Sequence, residues 1–352
     1  MRTNLPRRTC SPLGPYSAPV AIVALGIAVG CLSSRKANEQ VVVYAALDRE
    51  FSGPVLDDFA RQSGILVLPK YDIESTKSVG LASAIVAEAS HPRCDVFWNN
   101  EILNTLRLAD QGRLDVYQSP AAAGFPAMYR AKNGAWHGFA ARGRVLVVNT
   151  NLVPPEDRPR SIYDLADARW KGKVGIARPV AGTTATHVAC LFAVLGPDKA
   201  KQLLRNMRVN DIRIYGGNKQ VAVAASTGEI AFGLTDTDDA VGEVERAAPV
   251  TIVYPDRGAD ELGTLFIPNT VSIVKGCPNP AAARRLVDFL LSPAVEAQLA
   301  RGASAQIPLN PEVEAKLRVE TPRTVKAMPI DFAAAAGKWD AAAEFIEEEF
   351  LK

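Results

Sequence analysis

The sequence has few aromatic residues, few histidines and no excess of either charge. Aromatic residues account for 7% of the 352 residues, and 40 Lys and Arg residues stand against 38 Asp and Glu residues. Without a basic stripe, nucleic acid is not expected as a partner. His91, His137 and His187 are scattered and lack HxxxH spacing, which argues against a zinc site. The sequence also contains no P-loop, GxSxG motif or Cys/His arrangement that would indicate a common catalytic centre.

Cysteine is also sparse. After the N-terminal region the chain has only Cys94, Cys190 and Cys277. None of them has CxxC spacing, so we interpret them as buried small hydrophobic residues. One disulfide could form in an oxidising compartment, but the spacing does not select a pair.

Residues 1–30 are predicted to be a lipoprotein-type signal peptide and not part of the fold. Three arginines precede the uncharged apolar run Val20–Gly30, which is too short to span a membrane. The small residues before Cys31 resemble a bacterial lipobox, although Ala28 stands in place of the usual leucine. We therefore expect lipidation at Cys31, a polar tether over residues 31–39, and a lipid-anchored protein in the periplasm or cell envelope.

Strand and helix patterns alternate along the mature chain, which predicts an α/β fold with a doubly wound sheet. Val41–Ala46 is typical of a buried strand, and Phe51–Gln62 has the apolar spacing of a helix. Farther along, the apolar run Val145–Val148 predicts a core strand. Gly263–Lys275 is predicted to form two short strands broken at Pro268. The length predicts two domains.

Three carboxylates follow the apolar run Ile230–Leu234, which is predicted to be a buried strand. Asp236, Asp238 and Asp239 would lie at the carboxyl end of this strand, where open α/β sheets bind ligands. Burial of three acids is unfavourable unless they hold a cation or remain hydrated. The alternative is a solvated loop with an aspartate as helix N-cap, and position alone does not decide between the two.

Other candidate ligand-binding residues also follow predicted strands or begin predicted helices. They are Tyr44, Asp48, Asn99, Glu101, Arg142, Thr183, Thr184 and Asn218. The helix start at Thr183 and Thr184 offers backbone N–H groups and hydroxyls to an anion, or simply provides a threonine N-cap. Arg142 could bind an anion or form a structural ion pair.

Four segments of the chain resemble the extracellular solute-binding proteins of bacterial ABC importers, and most closely the ferric-iron-binding type. They are Gly138–Asn149, Asp164–Lys173, Leu286–Pro293 and Ile307–Asn310. The resemblance extends over nearly all of the mature chain and follows a lipoprotein-like leader. The four segments in order are specific at the level of a solute-binding protein.

The resemblance implies a periplasmic-binding-protein-like fold of type II, in which two α/β domains joined by two crossover strands hold the ligand in a cleft. Its implied divisions are residues 40–143 with 264–310 as domain 1, residues 144–263 as domain 2, and C-terminal helices over residues 311–352, whose domain is left open. Val145–Val148 and Phe266–Ile273 would lie near the crossovers. A monomer would close on its ligand by a hinge motion and deliver it to a membrane permease.

The ligand set of the iron-binding relatives is not inherited. In those relatives two adjacent tyrosines follow the strand and bind iron, and the resemblance places Asp238 and Asp239 at these positions. A histidine that some relatives carry near an early strand end is absent from the segment Asp48-Arg49-Glu50. Asp238 and Asp239 therefore become the candidate metal ligands.

Two ligand classes fit this interpretation. The first is a hard cation, ferric iron before others, bound by carboxylate and phenolate oxygens as transported cargo and not as a cofactor. The second is an aminophosphonate or an organic phosphate, because Arg142 and the Thr183–Thr184 helix start favour an anion while the acids favour an ammonium group.

An enzyme is the third hypothesis. The segment Asp236-Thr237-Asp238 imitates a DxD phosphatase motif, with Asp236 as nucleophile and Asp238 as general acid. Ala240 stands where that motif carries Thr or Val, and the segment lies deep in the chain instead of opening a domain. We therefore do not expect an enzyme.

Overall fold

The computed structural model describes residues 39–72 and 77–352. The predicted signal peptide, Cys31 and the tether up to residue 38 lie outside the described residues. Among the helices that are described, none has both the length and the apolar character needed to cross a membrane.

The described strands form one continuous mixed sheet. They are β1 (Gln40–Ala45), β2 (Leu66–Tyr71), β3 (Val96–Asn99), β4 (His137–Asn149), β5 (Val174–Ala177), β6 (Arg213–Tyr215), β7 (Phe232–Asp236), β8 (Val250–Val253) and β9 (Phe266–Ile273). The order across the sheet is β2-β1-β3-β9-β4-β7-β5-β6, and β8 also pairs with β4. β1 is parallel to β2 and β3, and β5 is parallel to β6 and β7, which is the pairing that α/β crossovers produce.

The helices follow the strands closely along the chain. They are α1 (Arg49–Ser63), α2 (Val79–Ala87), α3 (Leu103–Asp110), α4 (Gly182–Val194), α5 (Pro197–Val209), α6 (Asn218–Ser226), α7 (Thr237–Glu245), α8 (Pro280–Leu290), α9 (Pro293–Arg301), α10 (Phe332–Ala336) and α11 (Trp339–Phe345). A capping box at Ser161 starts a short 3-10 helix, in which Asp164 accepts the Ser161 backbone N–H over 3.0 Å.

β4 connects the two halves of the sheet. Its first part, His137–Gly143, pairs antiparallel with β9, and its second part, Arg144–Val148, pairs antiparallel with β7. Every residue of β4 is buried. The apolar run Val145–Val148 predicted only the end of this strand, because Arg142 and Arg144 interrupt the apolar pattern although both are buried.

The change of pairing partner along β4 falls at the predicted domain boundary between residues 143 and 144. β1, β2, β3 and β9 lie on one side of β4, and β5, β6 and β7 lie on the other. The described residues 39–72 and 77–352 belong to one compact unit. The bounds of the two domains therefore stay a prediction.

β9 is one strand, so the prediction of two strands broken at Pro268 is wrong. Proline lacks an N–H group and is tolerated in sheets at bulges and unpaired edges. Pro268 pairs with Ala141 next to a bulge at Ala140, whose φ is 43°. It also lies beyond Thr270, the last residue of β9 that pairs with β3. Neither neighbouring strand therefore needs a hydrogen bond from Pro268.

The C-terminal segment is less helical than the prediction of helices over residues 311–352. Residues 311–331 contain no helix, and the helical part that begins with α10 is interrupted at Gly337 and Lys338 before α11 and a π-helical turn, Ile346–Phe350. α10 and α11 pack against α4, and α10 also packs against α3. The segment thus contacts helices assigned to both predicted domains.

Candidate functional site

A cavity of about 580 Å³ lies where β1, β5 and β7 end and where α1, α4, α6 and α7 begin. Its charged lining is balanced between the two signs. The acidic residues are Asp48, Glu50, Asp236, Asp238 and Asp239, and the basic residues are Arg49, Lys77, Arg142, Arg178 and Lys219. A balanced lining can hold a ligand that carries both charges, or a cation that replaces one of the basic side chains.

The three aspartates converge because β7 ends directly at α7. Asp236 is the last residue of β7, and Asp238 and Asp239 lie in the first turn of α7. One carboxylate oxygen from each residue lies within 4.8 Å of the others. The unpaired N–H groups of the first helical turn favour negative charge there, which partly offsets the repulsion between the acids.

Asp236 is fixed by the protein itself. Its carboxylate lies 2.7 Å from Arg144 Nη1, accepts the Thr183 hydroxyl over 2.6 Å and accepts the Asn218 amide over 3.0 Å. Although burial would raise the pKa of Asp236, the nearby charges of Arg144 and Arg142 lower it below its usual value. Asp236 is therefore ionised and already paired with a cation.

Asp238 and Asp239 are in a different electrostatic state. Burial, followed by the charge of Asp236, raises the pKa of Asp238 to about 6, although Arg142 opposes this shift. Burial raises the pKa of Asp239 well above its usual value, and the negative charges of Asp238 and Asp236 raise it further. Asp239 therefore favours its protonated form, whereas Asp238 holds a proton only below about pH 6.

Arg142 contacts one residue that lines the cavity and one residue of β9. Its Nη1 lies 3.3 Å from the Asp238 carboxylate, and its Nη2 donates to Asn269 Oδ1 on β9 over 3.3 Å. Its Nε is buried and has no hydrogen-bond partner among the described residues. Because Arg142 lines the cavity, its positive charge favours an anionic group there.

Arg144 lies behind the cavity and organises two helix starts. Its Nη1 donates to Thr183 over 3.2 Å and to Asn218 over 3.0 Å, and its Nη2 donates to Thr184 over 3.2 Å. These contacts connect the first turns of α4 and α6 to β4. The first amide of α4 is also used, because Gly182 N–H donates to the Lys77 carbonyl over 3.1 Å. The start of α4, which is predicted to bind an anion, therefore has fewer free N–H groups than expected.

Three of the predicted ligand residues do not line the cavity. The Tyr44 hydroxyl donates to the Glu88 carboxylate over 2.8 Å, and neither residue lines the cavity. Asn99 donates to Glu101 over 2.8 Å, and Glu101 in turn accepts the Asn104 backbone N–H at the start of α3 over 3.0 Å. These groups are occupied by local structure, because polar residues at strand ends also serve as helix caps.

The cavity is also lined by residues that are not among the predicted ligand-binding residues. Asn100 lines it where Asn99 was predicted, one position farther along the chain. Arg178 directly follows β5, and Lys77 lies opposite Asp48, with Nζ 2.8 Å from its carboxylate. Arg178 could have been predicted from the sequence, because it too follows the carboxyl end of a core strand.

A family model described as bacterial extracellular solute-binding protein matches residues 105–336. The chain belongs to this family of solute-binding proteins. A curated relative from Neisseria meningitidis, the major ferric iron-binding protein, is 25% identical over 308 residues, which span 84% of this chain and 88% of the relative. The phosphatase hypothesis is excluded, because members of this family transport solutes and are not enzymes.

Solved structures confirm the predicted fold of this solute-binding protein. Iron-bound HitA from Pseudomonas aeruginosa matches with a TM-score of 0.79 at 22% identity, and the match covers 88% of this chain and 99% of HitA. AfuA from Actinobacillus pleuropneumoniae, solved with fructose-6-phosphate, also gives a TM-score of 0.79 at 22% identity and covers 89% and 99% of the two chains. The fold is that of a type II periplasmic binding protein, as predicted.

Proposed function

We propose that this protein is the substrate-binding component of an ABC importer and that its cargo is ferric iron. The observation that carries this proposal is the convergence of Asp236, Asp238 and Asp239, whose oxygens lie within 4.8 Å of one another in the cavity. Hard cations are bound by oxygen ligands, and carboxylates provide them. The names of the Neisseria relative and of the iron-bound HitA structure support the same cargo.

Asp238 and Asp239 are the proposed iron ligands. Asp236 already pairs with Arg144, so it supports the site by adding negative charge and by fixing Thr183 and Asn218. Iron would take the place of the protons that the raised pKa values favour, and it would compete with Arg142 for Asp238. Binding therefore releases protons and changes the partner of Arg142.

A second candidate cargo is an aminophosphonate or an organic phosphate. The observation that favours it is the pair of arginines, Arg142 and Arg178, that line the cavity together with the acids. Guanidinium groups bind phosphonate and phosphate oxygens through charged hydrogen bonds, and both arginines line the cavity. Asp238 and Asp239 would then hold the ammonium group of a zwitterion. The fructose-6-phosphate in the AfuA structure supports this class of ligand.

The proposed cellular setting follows from the sequence and the family. A signal peptide over residues 1–30 would direct export, and a lipid on Cys31 would anchor the protein in the cell envelope. Delivery to a permease would require a change between open and closed clefts, with residues 144–263 moving relative to the rest of the chain as a hinged domain. The protein would act as a monomer and would carry no cofactor.

Thermal unfolding of the purified mature protein tests the cargo. A ligand that binds only the folded state raises the unfolding free energy by about 2.7 kcal/mol at a hundredfold excess over Kd. Ferric citrate, 2-aminoethylphosphonate and phosphate would be added separately to stripped protein. A stabilisation by ferric citrate that is lost in the Asp238→Asn, Asp239→Asn double variant supports iron. A stabilisation by the phosphonate alone would replace iron with the second candidate.

A further inference from the structure

Two of the described cysteines lie at the same end of neighbouring strands. Cys94 shortly precedes β3 and Cys277 follows β9, and these strands pair antiparallel with Val96 opposite Ile273. The pairing continues beyond the strands, since Val274 N–H donates to the Asp95 carbonyl over 3.0 Å. This end of β3 is opposite to the end that precedes Asn100 and the cavity. The segments that carry the two thiols therefore meet away from the ligand site.

A tight turn brings Cys277 back towards β3. Cys277 N–H donates to the Val274 carbonyl over 3.1 Å, and the turn contains Gly276 with a φ of 72°. The Asp95 carboxylate then accepts the backbone N–H of Asn279 over 2.7 Å and its side-chain amide over 2.9 Å. Contacts on both sides of Cys277 thus hold it against the residue next to Cys94.

The third described cysteine is elsewhere. Cys190 lies within α4, where burial and the charge of Glu101 raise the pKa of its thiol. Burial raises the pKa of the Cys94 thiol well above its usual value, and the neighbouring Cys277 adds to this shift. None of the three is in a disulfide in this structure, all three are buried, and the Cys94 thiol donates to the Val96 carbonyl over 3.2 Å. Of the three described cysteines, only Cys94 and Cys277 lie on segments that strand pairing brings together.

We propose that Cys94 and Cys277 form a disulfide in the exported protein, which would fasten β3 to β9. This inference rests on the proposed export, because disulfides persist in oxidising compartments. The oxidant is a disulfide of a thiol–disulfide exchange protein or of glutathione. The Cys277 thiolate attacks this external disulfide, which forms a mixed disulfide on Cys277 and releases one external thiolate. The Cys94 thiolate then attacks the Cys277 sulfur and releases the second external thiolate. Two protein thiols and one external disulfide become one protein disulfide and two external thiols.

The order of events follows from exposure. Cys277 is 9% exposed and Cys94 is 1% exposed, so Cys277 is the thiol that an external oxidant reaches. Burial raises the pKa of Cys277 to about 11, which lowers its thiolate fraction near neutral pH on the order of a hundredfold relative to a free cysteine. Oxidation should therefore be fast during folding and slow in the folded, reduced protein.

Refolding in a redox buffer tests the disulfide. The mature protein would be refolded with reduced and oxidised glutathione or with dithiothreitol, alkylated under denaturing conditions and mapped by peptide mass spectrometry. We expect a Cys94–Cys277 cross-link with Cys190 alkylated, and a Tm higher in the oxidised than in the reduced protein on the order of 5–10 °C. The matched control variant, Cys190→Ser, should keep the cross-link. Alkylation of both Cys94 and Cys277, or a cross-link that includes Cys190, would overturn the proposal.

A second arm separates this inference from the proposed function. Protein from the cell envelope would be mapped in the same way, and its stabilisation by ferric citrate would be measured. A reduced Cys94–Cys277 pair in exported protein overturns the disulfide in its cellular setting while leaving iron binding intact. Loss of the stabilisation by ferric citrate in a cross-linked protein would overturn the proposed cargo alone, because the disulfide lies at the end of β3 away from the cavity.

Discussion

Arg142 and Asp238 form an ion pair with Nη1 3.3 Å from the carboxylate, and their side chains are only 3% and 5% exposed. A buried ion pair contributes little net stability, because the desolvation of both groups opposes their attraction. Here Asp238 also retains a raised pKa despite its cationic partner. Perturbed carboxyl groups beside an arginine in a cavity are typical of functional sites. The pair is therefore consistent with the proposed exchange, in which a cation replaces Arg142 at Asp238.

The first prediction concerns Asp239 and the stability of the ligand-free protein. Its pKa is raised in the folded state, so its protonated form stabilises the fold at low pH and this contribution is lost as pH rises. Asp239→Asn keeps the neutral shape at every pH. We expect the variant to be more stable than the parent protein at pH 7.5 and equally stable near pH 4, measured by urea unfolding. The same variant should lose stabilisation by ferric citrate.

The control for this variant is Asp110→Asn at the exposed end of α3. It should change the unfolding free energy by less than about 0.5 kcal/mol at both pH values. A parent protein that matches Asp239→Asn in stability at pH 7.5 would contradict the raised pKa.

The second prediction is that protons compete with iron. Asp238 has a pKa of about 6 in the ligand-free protein, so iron must displace its proton at lower pH. We expect the affinity for ferric citrate to fall as pH decreases through 6, and proton release on binding to be larger at pH 5.5 than at pH 7.5. Isothermal titration calorimetry in buffers of different ionisation enthalpy measures this release. The Asp238→Asn variant should abolish the difference between the two pH values.

The third prediction concerns Arg144. Its side chain is fully buried, and its removal would leave the ionised Asp236 without its cationic partner. Arg144→Met should destabilise the protein by about 3–5 kcal/mol, as expected when one partner of a buried pair is removed. Arg213→Met, which breaks an exposed pair with Glu229, is the matched control and should cost less than about 1 kcal/mol. Chemical denaturation of both variants makes the comparison, and equal losses would contradict the role assigned to Arg144.

The location of the cavity was predictable because the fold class determines where strands end. Asp236, Asp238 and Asp239 follow a core strand, and carboxyl ends of parallel strands converge on ligand sites. Tyr44 and Asn99 satisfy the same rule but do not line the cavity, since side chains alternate in direction along a strand and only some of them reach it. A shift of one position, from Asn99 to Asn100, separates a local contact from a cavity-lining residue.

The role of Arg144 was not predictable from the sequence. Its partner, Asp236, is 92 residues away, and their contact depends on the antiparallel register of β4 and β7, which places the two residues opposite each other. The prediction of a strand break at Pro268 is wrong for a related reason. Its effect on β9 depends on the bulge at Ala140 in another strand, and local sequence contains no information about that partner.

The last prediction distinguishes the two candidate cargoes through Arg142. Arg142→Gln removes a positive charge that lies 3.3 Å from Asp238. Bound iron would be repelled less, so stabilisation by ferric citrate should be retained or increased at pH 7.5. A phosphonate or phosphate would lose a charged hydrogen bond, which contributes about 1.5–3 kcal/mol and corresponds to a loss of affinity of roughly tenfold or more.

Lys219→Gln is the control for this measurement, because Lys219 also lines the cavity but is 56% exposed and pairs with Glu50. Its effect on either ligand should be small, since exposed ion pairs contribute little. Both variants would be titrated with ferric citrate and with 2-aminoethylphosphonate. If Arg142→Gln loses binding of iron but Lys219→Gln does not, Arg142 must contact an anion that accompanies the metal, and Asp238 and Asp239 would then bind an iron complex instead of a bare ion.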